Sequence, residues 1–294
     1  MSRPFFFEGR IHMNKAGSDN ATRARVPLAT TQARVRLRTV ALPTEHGGWG
    51  LALEPVALGL LVAPSVAGFC LAIATMGAFL ARHPFKIVAG DRRRGRRFPR
   101  TAAAERFALF YGSVALAGLL AACATAADYQ FIIPLLLAAP FAAIQLAFDA
   151  SGRSRALAPE LAGSFGLAAV STGIALAAGW PLPAAFGLWA LLAARVIPAI
   201  LYVRARLTQL HGESAAVVPV ILAHAAVLLI SLLLAWINVT PLLAVAALSI
   251  LLLRAAHGLA SRDTNASAKQ IGIREICFGA LTVFAVAAGH LLSR

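Results

Sequence analysis

Residues 83–106 read HPFKIVAGDRRRGRRFPRTAAAER, a block of positive charge set between two apolar runs. Guanidinium groups at this density cannot be buried in a hydrophobic interior, and the flanking apolar runs cannot be left in water. Both demands are met if the runs cross a bilayer and the block lies at its surface.

The composition agrees. Of 294 residues, 59% are apolar and only 13% are charged, with a mean hydropathy of +0.75; soluble domains carry about 25% charged residues. Several stretches exceed the roughly 18 apolar residues that span about 30 Å of hydrocarbon as a helix. They are rich in Ala, Leu and Gly and lack the alternation of a barrel strand. The fold class expected is all-α, a polytopic membrane helix bundle of about nine transmembrane helices. The nine segments are 47–63, 66–88, 105–126, 129–148, 158–178, 182–203, 217–236, 239–257 and 271–292. Residues 1–40 read as a basic, disordered cytoplasmic tail, with Met13 as well as Met1 a candidate start, and 41–294 as one transmembrane domain. Cys70, Cys123 and Cys277 lie in different segments with no metal-ligand spacing and are expected as small core residues.

Orientation follows from the connections. Those after the first, third, fifth and seventh segments contain no Lys or Arg, although the chain carries 27. By the positive-inside rule the basic connections are cytoplasmic, which puts the N-terminus inside and the protein in a bacterial inner membrane. Topology then accounts for the net charge of +15, with no nucleic-acid partner required.

Ionisable groups within spans cost at least about 2.5 kcal/mol each and are candidates for function. Glu45 and His46 precede the first span, and His46, Gly50 and Glu54 share a helix face at i, i+4, i+8, with Pro55 expected to kink the helix beside Glu54. Arg82, His83 and Lys86 gather at the basic end of the second span, with Asp91 beyond them. The arginines from Arg92 to Arg100 suit a topology and headgroup determinant. Arg195 stands about 13 Å below Arg204, and Tyr202 and Arg206 follow it at helical spacing. A buried arginine needs a carboxylate, and Glu54 is expected to be its partner as the one carboxylate at comparable depth. Asp149 with Ser151, Arg153 and Arg155 is a weaker anion site; Glu160 reads as a helix start, and His224, His257 and His290 as core or interfacial residues.

The stretches PTEHGGWGLALEP, ARHPFKIVAGDRRRGRRFPRTAAAERFALFY, FDASGRSR and ARVIPAILYVRAR resemble the YwiC-like family of bacterial integral membrane proteins. That family brings no activity with it. The layout is also similar to UbiA-type intramembrane prenyltransferases, in which the loops after the second and sixth helices carry aspartates that hold Mg²⁺ and, through it, a prenyl diphosphate. Here those places read RHPFKIVAGD and LYVRARL. Asp91 is the sole carboxylate near the first and the second has none, so no cofactor is expected unless Asp91 takes a magnesium-holding role.

The leading expectation is a polar, cytoplasm-facing cavity between the first, second and sixth spans. There Arg82, Lys86, Arg195, Arg204 and Arg206 would bind, and by one reading modify, an anionic or isoprenoid lipid. Two alternatives stand beside it: a proton-coupled transporter of a small solute using Glu54, His46 and Arg195, and a non-catalytic membrane scaffold. The sequence leaves open whether the chain is an enzyme, and its oligomeric state.

Overall fold

A computed structural model describes residues 36–43, 46–261 and 267–292, with backbone alone for residues 46 and 47. Glu45, the side chain of His46 and most of the basic N-terminal stretch lie outside the described residues. Among the described residues every regular element is helical. In chain order they are α1 Leu37–Ala41, α2 His46–Val62, α3 Val66–Arg93, α4 Pro99–Thr125, α5 Ile132–Ala150, α6 Leu157–Ala177, α7 Leu182–Leu210, α8 Val217–Trp236, α9 Leu242–Ala260 and α10 Ala268–Leu292. Helix α1 overlaps the end of the stretch read as a tail, residues 1–40. Helices α2–α10 correspond one to one with the nine apolar segments.

Eight of these nine are long and apolar enough to cross a membrane; α2, at 17 residues, is shorter. It runs on through Pro55 as one helix, although proline supplies no amide hydrogen to the turn before it. Several helices outrun their apolar segments: α3 continues to Arg93, α7 to Leu210, and α4 already begins at Pro99. All three extensions lie at the basic end. Backbone hydrogen bonds do not stop where hydrocarbon stops, and charged residues form good helix among headgroups. The four connections at the other end, 63–65, 126–131, 178–181 and 237–241, contain no Lys or Arg.

Helix α6 is the hub. It packs against α2, α3, α5 and α7, and 72% of its central window is buried, against 11% for α4. Its sequence, LAPELAGSFGLAAVSTGIALA, is mostly small residues, which let backbones approach where lipid removes the hydrophobic drive between helices. Two hydrogen bonds fix its register on α7: Thr172 Oγ1 donates to the Ala185 carbonyl at 2.8 Å, and Trp189 Nε1 to the Phe165 carbonyl at 3.0 Å. The fully buried Leu58, Ile174, Leu188 and Leu191 fill the space between α2, α6 and α7.

Helices α3 and α4 form the tightest hairpin. A Cβ on Gly77 would sit 2.7 Å from the backbone nitrogen of Ala115, and one on Gly118 2.7 Å from that of Ala74. The outer faces of α4 and α5 expose Leu109, Leu116, Leu120 and Leu136, as a lipid-facing surface should. Cys277 is exposed, which corrects its expected place in the core, and Cys70 and Cys123 are half-buried. The reason is local: Cys277 is on the flank of α10 that lines a cavity rather than the flank packed on α2.

Candidate functional site

Arg195 stands near the middle of α7, on the turn before Pro198, and Glu54 near the middle of α2. The two form an ion pair, Arg195 Nη1 to Glu54 Oε2, with both side chains almost wholly buried. Glycine makes the space: a Cβ on Gly279 of α10 would run into the Glu54 carboxylate, and one on Gly50 would come within 3.6 Å of it. The pair inferred from depth alone is therefore present.

Its neighbourhood corrects one premise. Glu54 is not the only carboxylate at that depth, because Glu275 of α10 lies alongside, and Arg195 Nη2 donates to its backbone carbonyl at 3.3 Å. The Glu275 side chain in turn pairs with Arg254 of α9 through Arg254 Nη1 and Glu275 Oε1. Arg254 lies over two rings, 4.0 Å from the centroid of Tyr202 and 4.9 Å from that of Phe278. Four charges thus run in a buried line from α2 through α7 and α10 to α9, two acidic and two basic. Sequence reading missed Arg254 and Glu275. Both fall about a turn inside the ends of consecutive apolar segments, where a charge reads as interfacial. Their opposite signs at facing ends of antiparallel neighbours were the available signal.

Below this line, toward the basic end, opens a cavity of about 590 Å³ between α7, α9 and α10. Its polar wall holds Tyr202, Arg206, Arg254, His257, Arg274 and Glu275; its apolar wall includes Ile271, Ile273 and Phe278. Arg206 is buried, and its Nη1 donates at 2.8 Å to Gln209, which donates onward to the Leu259 carbonyl at 3.2 Å, tying α7 to α9.

The expected cavity wall of Arg82, Lys86 and Arg206 is not formed, since α3 and α7 do not adjoin. Arg82 turns to α5, where Nε and Nη2 hold both oxygens of buried Asp149 at 2.6 and 3.1 Å. His83, one residue and so about 100° further round the helix, meets the Thr39 carbonyl of α1 at 3.0 Å. Lys86 is half-buried and also engaged. Asp149 is accordingly a helix tie rather than part of an anion site. Arg204 bonds Glu160 at 3.0 Å and the Arg155 carbonyl at 2.6 Å, so Glu160 does more than start α6.

Asp91 is buried and fully used. It accepts from Thr101 Oγ1 at 2.7 Å and from Arg100 Nη2 at 2.9 Å, and Arg94 stands 3.8 Å away. These contacts close the turn between α3 and α4. A carboxylate held by a guanidinium and a hydroxyl does not fit the oxygen shell of Mg²⁺, and among the described residues no three His, Cys, Asp or Glu side chains gather as a metal site. The residues present therefore do not fit a magnesium-held diphosphate at Asp91.

Residues 42–175 match the model of the family described as YwiC-like protein, which bears out the resemblance over that stretch. The match covers Glu54, Arg82, Asp91 and Asp149 but ends before α7, α9 and α10, which carry Arg195 and the cavity. Compared with curated proteins and with solved structures, the chain finds no match in either.

Proposed function

We propose that this multi-pass membrane protein binds an anionic amphiphile, an acidic phospholipid or an isoprenoid phosphate, in the cavity between α7, α9 and α10. The observation that carries the reading is the lining itself. Among the described residues Arg206, Arg254 and Arg274 line it with Glu275 as the single carboxylate, against an apolar wall of Ile271, Ile273 and Phe278. Arginines suit phosphate oxygens, and the apolar wall suits the first methylenes of a chain. With the basic end taken as cytoplasmic and the membrane as the bacterial inner one, the head would enter from the cytoplasmic leaflet.

Native mass spectrometry in mild detergent tests this, with phosphatidylglycerol, phosphatidylcholine and a prenyl diphosphate added, each with and without Mg²⁺. Anionic species are expected to be retained over phosphatidylcholine without metal, and Arg206→Glu and Arg274→Glu to abolish the difference. Equal retention of phosphatidylcholine by the unaltered protein would sink the reading.

The buried Glu54–Arg195 pair favours a second one, proton-coupled transport, because it stands at mid-bundle and connects to the cavity through Glu275. On that reading Glu54→Gln stops solute uptake by proteoliposomes while ligand retention persists.

A further inference from the structure

We propose that the Tyr202 hydroxyl is a ligand-binding donor of the α7–α9–α10 cavity, giving its hydrogen to an anionic oxygen of the head that the cavity takes; this rests on the reading that the cavity binds an anionic amphiphile. A phenol offers one O–H donor, and buried tyrosine and tryptophan side chains ordinarily use theirs inside the protein. Trp189 does so: it is 7% exposed, and its Nε1 donates to the Phe165 carbonyl at 3.0 Å. Tyr202, 8% exposed, does not. Its ring meets Arg254, but its hydroxyl makes no hydrogen bond among the described residues.

The hydroxyl is also within reach. Arg254 Nε and Nη2 and Glu275 Oε2 are unpaired and sealed inside the wall, whereas the Tyr202 hydroxyl is unpaired without being sealed, on a side chain that lines the cavity. Two neighbours fix where it stands. The Arg254 guanidinium lies 4.0 Å from the ring centroid and is itself tied to Glu275, so the ring has an anchored cation over one face. At the far end of the ring the hydroxyl occupies space that a glycine leaves open: a Cβ on Gly258 of α9, another lining residue, would run into it. The phenol is therefore oriented before any ligand arrives, and less side-chain freedom is lost on binding. Arg254, on this assignment, is a positioning residue acting through Tyr202.

The lining decides what the hydroxyl meets. Exposed Arg274 and His257 share the cavity, and a guanidinium draws in acceptor oxygens, those of phosphate above all. An anionic head is rich in acceptors, so the phenol serves it as a donor, and a bond to a charged acceptor is stronger than one to a neutral group. The phenol also works differently from an arginine. A neutral donor adds no long-range attraction, so its contribution is a contact that salt screens little. Cys277, exposed on the same wall, supplies a thiol that reports whether the space is filled.

The test uses the full-length protein in mild detergent micelles, with phosphatidylglycerol and phosphatidylcholine of matched acyl chains. Retention is read by native mass spectrometry, and filling of the cavity by the rate at which a water-soluble maleimide alkylates Cys277, located by peptide mapping. Phosphatidylglycerol is expected to slow that alkylation in the unaltered protein. Tyr202→Phe keeps the ring under Arg254 and removes only the hydroxyl; it should weaken retention of phosphatidylglycerol about tenfold, at low and high salt alike, and lose the protection of Cys277. The thermal unfolding midpoint should not move, because the hydroxyl makes no bond within the bundle; a merely structural hydroxyl would lower the midpoint and leave retention as it was. Retention by Tyr202→Phe within about twofold of the unaltered protein, with sensitivity to Arg274→Glu, would overturn the donor assignment yet leave anionic-amphiphile binding standing. A Tyr202→Phe protein that fails to fold would show the hydroxyl committed inside the bundle and would overturn the assignment as well. In a parallel arm glycerol phosphate replaces the lipid. Tyr202-dependent protection of Cys277 by glycerol phosphate assigns the acceptor to a free head, protection by phosphatidylglycerol alone assigns it to a lipid-borne one, and protection by neither overturns the proposal. Equal retention of phosphatidylcholine and phosphatidylglycerol by the unaltered protein would remove both readings.

Discussion

Replacing Arg195 by methionine removes the partner of Glu54 in the middle of the bundle. Glu54 is 8% exposed, its carboxylate is hemmed in by Gly50 and Gly279, and among the described residues it has no ion pair with a second cation. Breaking a buried ion pair from one side costs about 3–5 kcal/mol, because the remaining charge keeps its desolvation penalty and loses its compensation. Arg195 also has Nε buried without a partner, so the native pair is itself imperfectly satisfied and the lower end, about 3 kcal/mol, is the expected figure. At about 1.4 kcal/mol per power of ten that is roughly a hundredfold in the unfolding constant. Glu54→Gln, which leaves the arginine buried, should cost a similar amount. The double variant carries neither charge, and its loss should fall short of the sum of the two singles by at least about 2 kcal/mol. Reversible unfolding in mixed micelles, followed by circular dichroism against the mole fraction of a denaturing detergent, measures all three. If the losses add to within about 0.5 kcal/mol, the two residues do not act as a unit and the picture of a buried line of charge fails.

Gly77→Ala and Gly118→Ala each place a methyl against the backbone of the opposing helix and should cost about 1–3 kcal/mol in the same assay. Gly112→Ala on the open face of α4, with nothing within 4 Å, should be neutral or gain up to about 1 kcal/mol. Asp91→Asn loses a charge-assisted bond from Arg100, worth about 1.5–3 kcal/mol, and should speed proteolysis between residues 94 and 98. Glu105→Gln, whose partners Arg92 and Arg97 are largely exposed, should change stability by less than about 1 kcal/mol; an equal effect from both acids would undo the distinction drawn between buried and surface pairs.

The bundle was legible because hydrocarbon imposes one demand on every residue that crosses it. A run such as residues 217–236, with no charge, has nowhere to go but a membrane span, and α8 occupies those same residues. Where lipid gives way to headgroups the demand lapses, and there the reading stopped short: α7 runs seven residues past the apolar segment that ended at 203, to Leu210. The side chains of Arg204 and Arg206 ended the apolar run without ending the helix.

The site was half legible, for a related reason. Arg195 lies deep enough that a carboxylate had to be near it, and Glu54 was the one visible at that depth. Arg254 and Glu275 fall about a turn from the ends of their apolar segments, where in sequence a charge can be excused as snorkelling, so neither demanded a partner when read alone. Nor does depth order the helices: three donors on one stretch of α3 suggested a clamp, yet Arg82 and His83 face different neighbours because successive residues turn about 100°. Helix adjacency is set by small residues such as those of α6, whose pattern says that something packs closely but not what. Only once α7, α9 and α10 are side by side do Arg254 and Glu275 show themselves as an ion pair at a cavity wall, with Tyr202 and Phe278 against the guanidinium. A buried donor pair without an acceptor is costly to a fold. In Arg254 that cost is set against the ion pair with Glu275, whose carboxylate an apolar side chain in its place would leave as an uncompensated buried charge.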